Sequence, residues 1–173
     1  MEHFNNQMIV EFDSVSKNES FARVVVAAFV TRLNPTLEEI ADIKTAVSEA
    51  VTNSIIHGYE NKDGRIRIET HIVEDTVTVI VKDYGVGIAD IEKAMEPMYT
   101  SKPELERSGM GFAFMEAFMD ELFVESVPGE GTTVTMRKVI RQENAAYQIN
   151  TGVKKTKEND SDKKGENYSQ NIK

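Results

Sequence analysis

The chain has 173 residues, of which 40% are hydrophobic, and its formal net charge is −9. This size and apolar content suit one compact domain with a sizeable core. Cysteine is absent, which excludes disulfides, thiolate metal sites and cysteine nucleophiles. An acidic chain is a poor candidate for direct nucleic-acid binding, because phosphate contacts need basic side chains.

The sequence carries no sign of export or of a membrane segment. Residues 1–6 are polar and lack a basic-then-apolar targeting pattern. The longest uncharged apolar run, residues 24–31, is much shorter than the roughly 20 residues that span a bilayer. We therefore expect a soluble protein, and the lack of cysteine fits a reducing cytoplasm.

The first predicted elements are a strand and a helix. Residues 8–12 suit an edge strand. Ser16 and Glu19 have the spacing of a capping box, and the apolar residues that follow recur at helical intervals. The pattern predicts a helix over about 16–33, which ends before Pro35 because a residue that precedes proline disfavours helical dihedrals.

A second helix carries the most informative pair of residues. Thr36 and Glu39 repeat the capping signal, and Gly58 is a plausible C-terminal stop. Within this helix Glu49 and Asn53 are four residues apart, so their side chains lie on the same face. A carboxylate can accept a proton from an attacking hydroxyl, and an amide oxygen suits Mg²⁺. Taken alone, the pair also fits a surface Glu and a polar helix end.

Two alternating segments, 65–72 and 77–81, predict an antiparallel hairpin with one buried face and one wet face. Asp83 follows the second strand, and Gly85 and Gly87 follow Asp83. Glycines let a backbone approach a ligand closely, and a carboxylate can accept a hydrogen bond from the adenine amine. Taken alone, these residues also fit an ordinary polar turn.

The remaining segments are predicted as follows. Residues 88–107 suit a lid with one or two helical turns at 90–95, and 111–119 suit an apolar helix. A final hairpin is predicted from 122–127 and 132–140.

Gly109 and Gly111 precede the helix at 111–119, where backbone N–H groups could bind phosphate. Lys102 and Arg107 in the lid could neutralise phosphate charge, or could be solvated surface residues. Residues 1–140 are expected to form the domain. Residues 141–173 are expected to form a polar, disordered tail.

The familiar phosphate-binding loop and the protein-kinase motifs are absent from the sequence. Taken together, the motifs above resemble the ATPase superfamily of gyrase, heat-shock chaperone ATPases, histidine kinases and MutL. The likeness is closer to the sporulation anti-sigma F factors, which are serine kinases that sequester a sigma factor. It is carried by residues 18–23, 48–53, 56–59 and 100–112, and it spans about 8–140.

This resemblance implies the roles of the first group of site residues. Glu49 would be the general base that activates a substrate serine, and Asn53 would hold Mg²⁺ that bridges the phosphates of ATP. Asp83 would bind the adenine amine, while Gly85 and Gly87 would shape the pocket.

The same resemblance places a second group around the nucleotide. Gly109, Gly111 and Lys102 would lie along the phosphates of ATP or ADP. Thr132 or Thr133 would complete the adenine side of the pocket.

Arg23 and Arg107 match family positions on the surface that contacts protein partners, and Arg107 would also lie near the phosphates. The expected fold is an α+β two-layer sandwich (the Bergerat-type ATP-binding fold). It has a mixed, mostly antiparallel sheet with helices on one face, and the protein is expected to form a homodimer. The expected partners are a sigma factor and an anti-anti-sigma protein that is phosphorylated on serine. Residues after about 140 extend beyond the usual end of the family.

Three alternatives remain open from the residues. One is a nucleotide-gated sequestering module without significant kinase activity, which the intact Glu49 and Asn53 disfavour. Another is an anti-sigma kinase of the stress-response type. The third is the ATP-binding half of a histidine kinase, disfavoured because no upstream helix pair with a phospho-accepting histidine is seen.

Overall fold

The computed structural model of the protein describes residues 5–98 and 109–141. Within these ranges the strands are β1 (Asn5–Asp13), β2 (Arg65–Val73), β3 (Thr76–Lys82), β4 (Glu121–Val127) and β5 (Gly131–Val139). The helices are α1 (Lys17–Val30), α2 (Leu37–Asn53), α3 (Ile91–Ala94) and α4 (Gly111–Phe118). A 3₁₀ turn (Thr31–Leu33) extends α1, and a π-helical turn (Ser54–Gly58) extends α2. The predicted helices and strands are all present, with ends within a few residues of those expected.

The five strands form one sheet in the order β1-β2-β3-β5-β4. All four pairings among the described strands are antiparallel. The expected α+β sandwich is confirmed, whereas the parallel pair that a mixed sheet needs does not occur in the described residues. The β2–β3 and β4–β5 pairs are joined by short hairpins, and a hairpin can connect only antiparallel strands.

One face of the sheet packs against the helices and forms the core. In β2 the side chains of Ile66, Ile68 and Ile72 are fully buried, whereas Arg65, the first residue of the strand, is exposed. This is the alternation predicted from the sequence, because successive side chains of a strand point to opposite faces. Thr70 shares the buried face, and among the described residues its Oγ1 is the only buried side-chain polar atom without a hydrogen-bond partner.

Helix α1 begins differently from the prediction. The capping box at Ser16 does not form, because the Ser16 side chain makes no cap hydrogen bond. Glu19, its expected partner, instead accepts a hydrogen bond from the Ser48 hydroxyl of α2 and lies 3.5 Å from the Arg23 guanidinium. The Glu19 side chain therefore makes a tertiary contact in place of the cap contact that the local pattern predicted.

Helix α2 begins as predicted. The Oγ1 atom of Thr36 accepts a hydrogen bond from the Glu39 N–H at 3.1 Å, and a Glu39 carboxylate oxygen accepts one from the Thr36 N–H at 2.8 Å. This reciprocal pair satisfies two N–H groups at the helix start and fixes where α2 begins. Helix α2 then packs against both α1 and α4, and its last turn lies at the candidate site.

Candidate functional site

The last turn of α2 presents Glu49 and Asn53 towards the start of α4. A Cβ added at Gly111, the first residue of α4, would lie 3.1 Å from the Asn53 amide and 3.3 Å from Glu49 Oε2. The two side chains therefore lie on the same side of α2, as their spacing of four indicates. A side chain at this position would require Asn53 and Glu49 to move by a few tenths of an ångström.

Asp83 directly follows the strand β3 and is almost fully buried, with 3% of its surface exposed. Its Oδ1 accepts hydrogen bonds from the backbone N–H of Gly85 at 3.0 Å and of Thr132 at 3.2 Å. Burial raises the pKa of Asp83, and the hydrogen bonds from Gly85, Ser54 and Thr132 only partly oppose that rise. A buried carboxylate held by several donors in a cleft is characteristic of functional sites.

A cavity of about 520 Å³ connects these elements. This volume falls within the range of small-molecule and cofactor sites. Six of the residues expected at the nucleotide line it: Asn53, Asp83, Gly87, Gly109, Gly111 and Thr132. The structure thus brings together residues from α2, from the bend after β3, from the start of α4 and from β5.

The bend after β3 lies directly against the end of α2. The Val86 N–H donates to the Gly58 carbonyl oxygen at 2.9 Å. A Cβ added at Gly85 would lie 2.1 Å from the same oxygen, so no other residue fits there without movement. Gly87 has a φ of +71°, which L-residues rarely adopt. Gly85 thus lets the bend contact the end of α2, whereas Gly87 lies against the backbone of Val127 at the end of β4.

The π-helical turn at Ser54–Gly58 places residues at the cavity that the sequence did not single out as ligands. Ser54 bonds to Asp83, and a Cβ added at Gly58 would lie 3.0 Å from the Asp83 carboxyl carbon. His57 also lines the cavity. A wider turn rotates the helical face, and π turns recur at functional sites. The 3.6-residue period of the helix does not predict this π-helical turn, although residues 56–59 formed part of the resemblance to the anti-sigma F factors.

Other predicted site residues lie elsewhere. Thr133 lies opposite Lys82 and Glu125 on the other face of the sheet, because successive residues of β5 point to opposite faces. Of the two threonines proposed for the adenine side, only Thr132 lines the cavity. Arg23 lies on α1 beside Glu19, with 42% of its side chain exposed. Lys102 and Arg107 lie outside the described residues, as do residues 99–107 of the predicted lid and 142–173 of the predicted tail.

The residues present suit a nucleotide with a magnesium ion. No three His, Asp or Glu side chains converge as a metal site within 5–98 and 109–141. Mg²⁺ commonly binds through one or two protein groups together with substrate phosphates and water, so a protein-only cluster is not required. The Asn53 amide oxygen at the cavity is a hard ligand of the required kind. In the described part of the chain, no helix is long and apolar enough to cross a membrane.

Comparisons with known proteins agree with this geometry. The family model of the histidine kinase-like ATPase domain matches residues 16–138. The anti-sigma F factor of Clostridium beijerinckii is 64% identical over 135 residues, which cover 78% of this chain and 94% of the relative. Anti-sigma F factors of Clostridium kluyveri and Caldanaerobacter subterraneus subsp. tengcongensis are 62% and 61% identical, each over 79% of this chain and 96% of the relative.

The fold and the cavity define an ATPase domain of the histidine kinase type, and such a domain implies nucleotide binding. Within that class, the chain belongs to the anti-sigma F factor family.

Proposed function

We propose that this protein is an ATP-dependent serine kinase that also sequesters a sigma factor. Its relatives are named anti-sigma F factors, which supports a sporulation sigma factor as the sequestered partner. The phosphorylated substrate would be an anti-anti-sigma protein that competes for the same surface. Phosphorylation of that antagonist would remove it and leave the sigma factor bound. A role with a stress-response sigma factor is the alternative, which identification of the bound partner distinguishes.

The observation that carries the proposal is the placement of Glu49 and Asn53 around Gly111. Both side chains lie within contact distance of the glycine that begins α4. Asn53 and Gly111 also line the cavity that contains Asp83. A nucleotide with its adenine at Asp83 would therefore extend its phosphates towards Gly111 and the general base.

The proposed reaction uses the residues of the chain as follows. Asp83 binds the adenine amine, and the backbone at Gly109 and Gly111 lies along the phosphates. Glu49 accepts the proton of the substrate serine as its oxygen bonds to the γ-phosphorus, and the bond to the ADP oxygen breaks. When bound, Mg²⁺ would neutralise phosphate charge with Asn53 as a protein ligand. Because serine is a weak nucleophile, positioning and charge neutralisation supply most of the catalysis.

The proposal includes the partner surface and the assembly. Arg23 is partly exposed on α1 and does not line the cavity, which suits a contact with a protein partner. Arg107 would join it at that surface, Lys102 and Arg107 would approach the phosphates, and Gly85 and Gly87 would shape the adenine side with Thr132. We propose a cytoplasmic homodimer, with residues 1–140 as the kinase domain and 141–173 as a separate tail.

The proposal is tested by incubating the chain with γ-labelled ATP, Mg²⁺ and the anti-anti-sigma protein of the same organism. We expect acid-stable phosphoserine on that protein. In Glu49→Gln, phosphoryl transfer should fall roughly 10²- to 10⁴-fold, the usual contribution of a general base, while the Kd for ATP stays unchanged. Glu38→Gln makes the same change at the exposed start of α2 and should retain full activity.

Each other outcome points to a different function. Full kinase activity in Glu49→Gln would refute the role of Glu49 as the base. A stoichiometric complex without phosphoserine, formed by the wild-type chain, would favour a nucleotide-gated sequestering module. An acid-labile phosphate on the chain itself would favour the histidine kinase alternative. No heat of ATP uptake by folded protein in calorimetry would remove the basis of the proposal.

A further inference from the structure

We propose that Tyr59 is a positioning residue that sets how strongly the site selects nucleotides bearing the adenine amine. The inference rests on the proposed role of Asp83 at the adenine. Tyr59 follows the π-helical turn and does not line the cavity among the described residues. It acts through the backbone of the bend that carries Asp83.

The Tyr59 hydroxyl bridges two segments that are distant in the chain. It donates a hydrogen bond to the Arg65 carbonyl oxygen at 2.5 Å and accepts one from the Tyr84 N–H at 2.8 Å. A phenol has one proton to donate and can also accept, so one side-chain atom makes both contacts. The bridge joins the end of α2 to the start of β2 and to the residue next to Asp83.

The ring of Tyr59 is fixed independently of its hydroxyl. A Cβ added at Gly64 would lie 2.3 Å from Cδ1 of the ring, so the loop before β2 packs directly on its face. The ring also packs against the hydrophobic core, and the Tyr59 N–H donates to the Ser54 carbonyl oxygen at 2.8 Å. A phenylalanine would keep these contacts and remove only the bridging oxygen.

The bridge holds the part of the bend that orients the Asp83 carboxylate. Gly85 donates its N–H to Asp83, and Val86 donates its N–H to Gly58, so the residues after Tyr84 are already fixed to α2. Tyr84 joins Asp83 to this fixed part. Loss of the Tyr59 oxygen leaves the Tyr84 N–H at an exposed position where water can replace it. The fold therefore tolerates the change, while the carboxylate loses one constraint on its direction.

The test compares ATP with purine riboside triphosphate, which is ATP without the amine. We expect the wild-type chain to bind ATP more tightly in calorimetry. In Tyr59→Phe the ratio of the Kd for purine riboside triphosphate to the Kd for ATP should fall roughly fivefold, about the effect of one neutral hydrogen bond. In an Asp83→Asn background the same tyrosine substitution should no longer change the ratio, because the two residues act through one contact.

A purely structural role for the hydroxyl would weaken both nucleotides by the same factor and leave the ratio unchanged, which would overturn the inference. An equal fall of the ratio in both backgrounds would overturn it as well. Failure of the wild-type chain to bind ATP would instead refute the proposed function, and this inference with it. Wild-type selectivity for ATP that survives intact in Tyr59→Phe would refute the inference alone.

Discussion

Helix α2 meets opposite surroundings at its two ends. At its start, Glu39 accepts hydrogen bonds from the N–H groups of Thr36, at 2.8 Å, and Arg141, at 2.9 Å. Burial opposes the charge of Glu39, but the hydrogen bonds from Thr36 and Arg141 outweigh it and lower its pKa. One turn further on, Asp42 lies 3.1 Å from the Lys138 ammonium. Glu39 and Asp42 thus each have partners that favour their charge.

At its other end, α2 runs into the π-helical turn and against the bend after β3. Asp83 is buried there, and burial raises its pKa despite the hydrogen bonds from Gly85, Ser54 and Thr132. Backbone segments approach so closely that Gly85 has no room for a side chain. This end holds a charge that the folded state disfavours.

The comparison shows that one helix both stabilises the fold and orders the site. Its start contributes local hydrogen bonds and an ion pair that serve stability. The buried Asp83 carboxylate packed beside its end costs stability, and such a cost is expected where a carboxylate is positioned to bind a ligand. Substitutions at the start should therefore change stability alone, whereas substitutions at the end should also change nucleotide binding.

The largest effect on stability is expected from Gly85→Ala. The added Cβ would lie 2.1 Å from the Gly58 carbonyl oxygen, and neither backbone segment can move without displacing the other. We expect the free energy of unfolding in urea to fall by about 3 kcal/mol, together with loss of ATP binding. Gly129→Ala is the control, because no atom lies within 4 Å of its added Cβ and only its φ of +83° is strained. It should lose about 1 kcal/mol and keep ATP binding.

Asp83→Asn should weaken nucleotide binding without weakening the fold. An amide cannot give the adenine amine a charged acceptor, so we expect the Kd for ATP to rise roughly 10- to 100-fold. Removal of the buried charge should leave the melting temperature at pH 7 unchanged or higher, because burial raises the pKa of the carboxyl. Calorimetry and thermal unfolding measure the two effects. A lower melting temperature with unchanged ATP affinity would contradict the assignment of this end.

Thr36→Ala should have the reverse effect at the start of α2. It removes the hydroxyl that accepts from the Glu39 N–H at 3.1 Å, and loss of a cap costs about 1 kcal/mol. Ser16→Ala is the matched control at the start of α1, because Ser16 makes no side-chain cap bond and should cost almost nothing. Urea unfolding measures both variants. Equal losses, or a change in ATP affinity in Thr36→Ala, would remove the contrast between the two ends.

The smallest effect is expected in the pH dependence of stability. A raised folded-state pKa means that the cost of Asp83 is lost as pH falls through that pKa towards the ordinary value of 3.8. A lowered pKa means that the contribution of Glu39 is present above its ordinary value of 4.5 and is lost as pH falls below it. At neutral pH, Asp83→Asn should be at least as stable as the wild type and Glu39→Gln should be less stable. Both differences in the free energy of unfolding should shrink on acidification. Gaps that do not change with pH would contradict both shifts.

Much of the fold followed from local patterns. The alternation of β2, the capping box at Thr36 and the spacing of Glu49 and Asn53 all depend on backbone geometry within a few residues. The prediction at Ser16 was wrong for the complementary reason, since its local partner Glu19 bonds to another helix. The spacing of Ser16 and Glu19 alone could not reveal that a residue of another helix competes for the Glu19 side chain.

By itself, the sequence determined the order of elements, the buried face of each strand and the glycine-rich segments near the cavity, because side-chain periodicity and backbone sterics act locally. Tertiary structure decided that Thr132 rather than Thr133 lines the cavity, that a π-helical turn follows Asn53, and that Asp83 is buried. These outcomes depend on which surfaces meet when the sheet packs on α2. Contacts between segments distant in the chain set burial and hydrogen bonding there, and no local pattern encodes them.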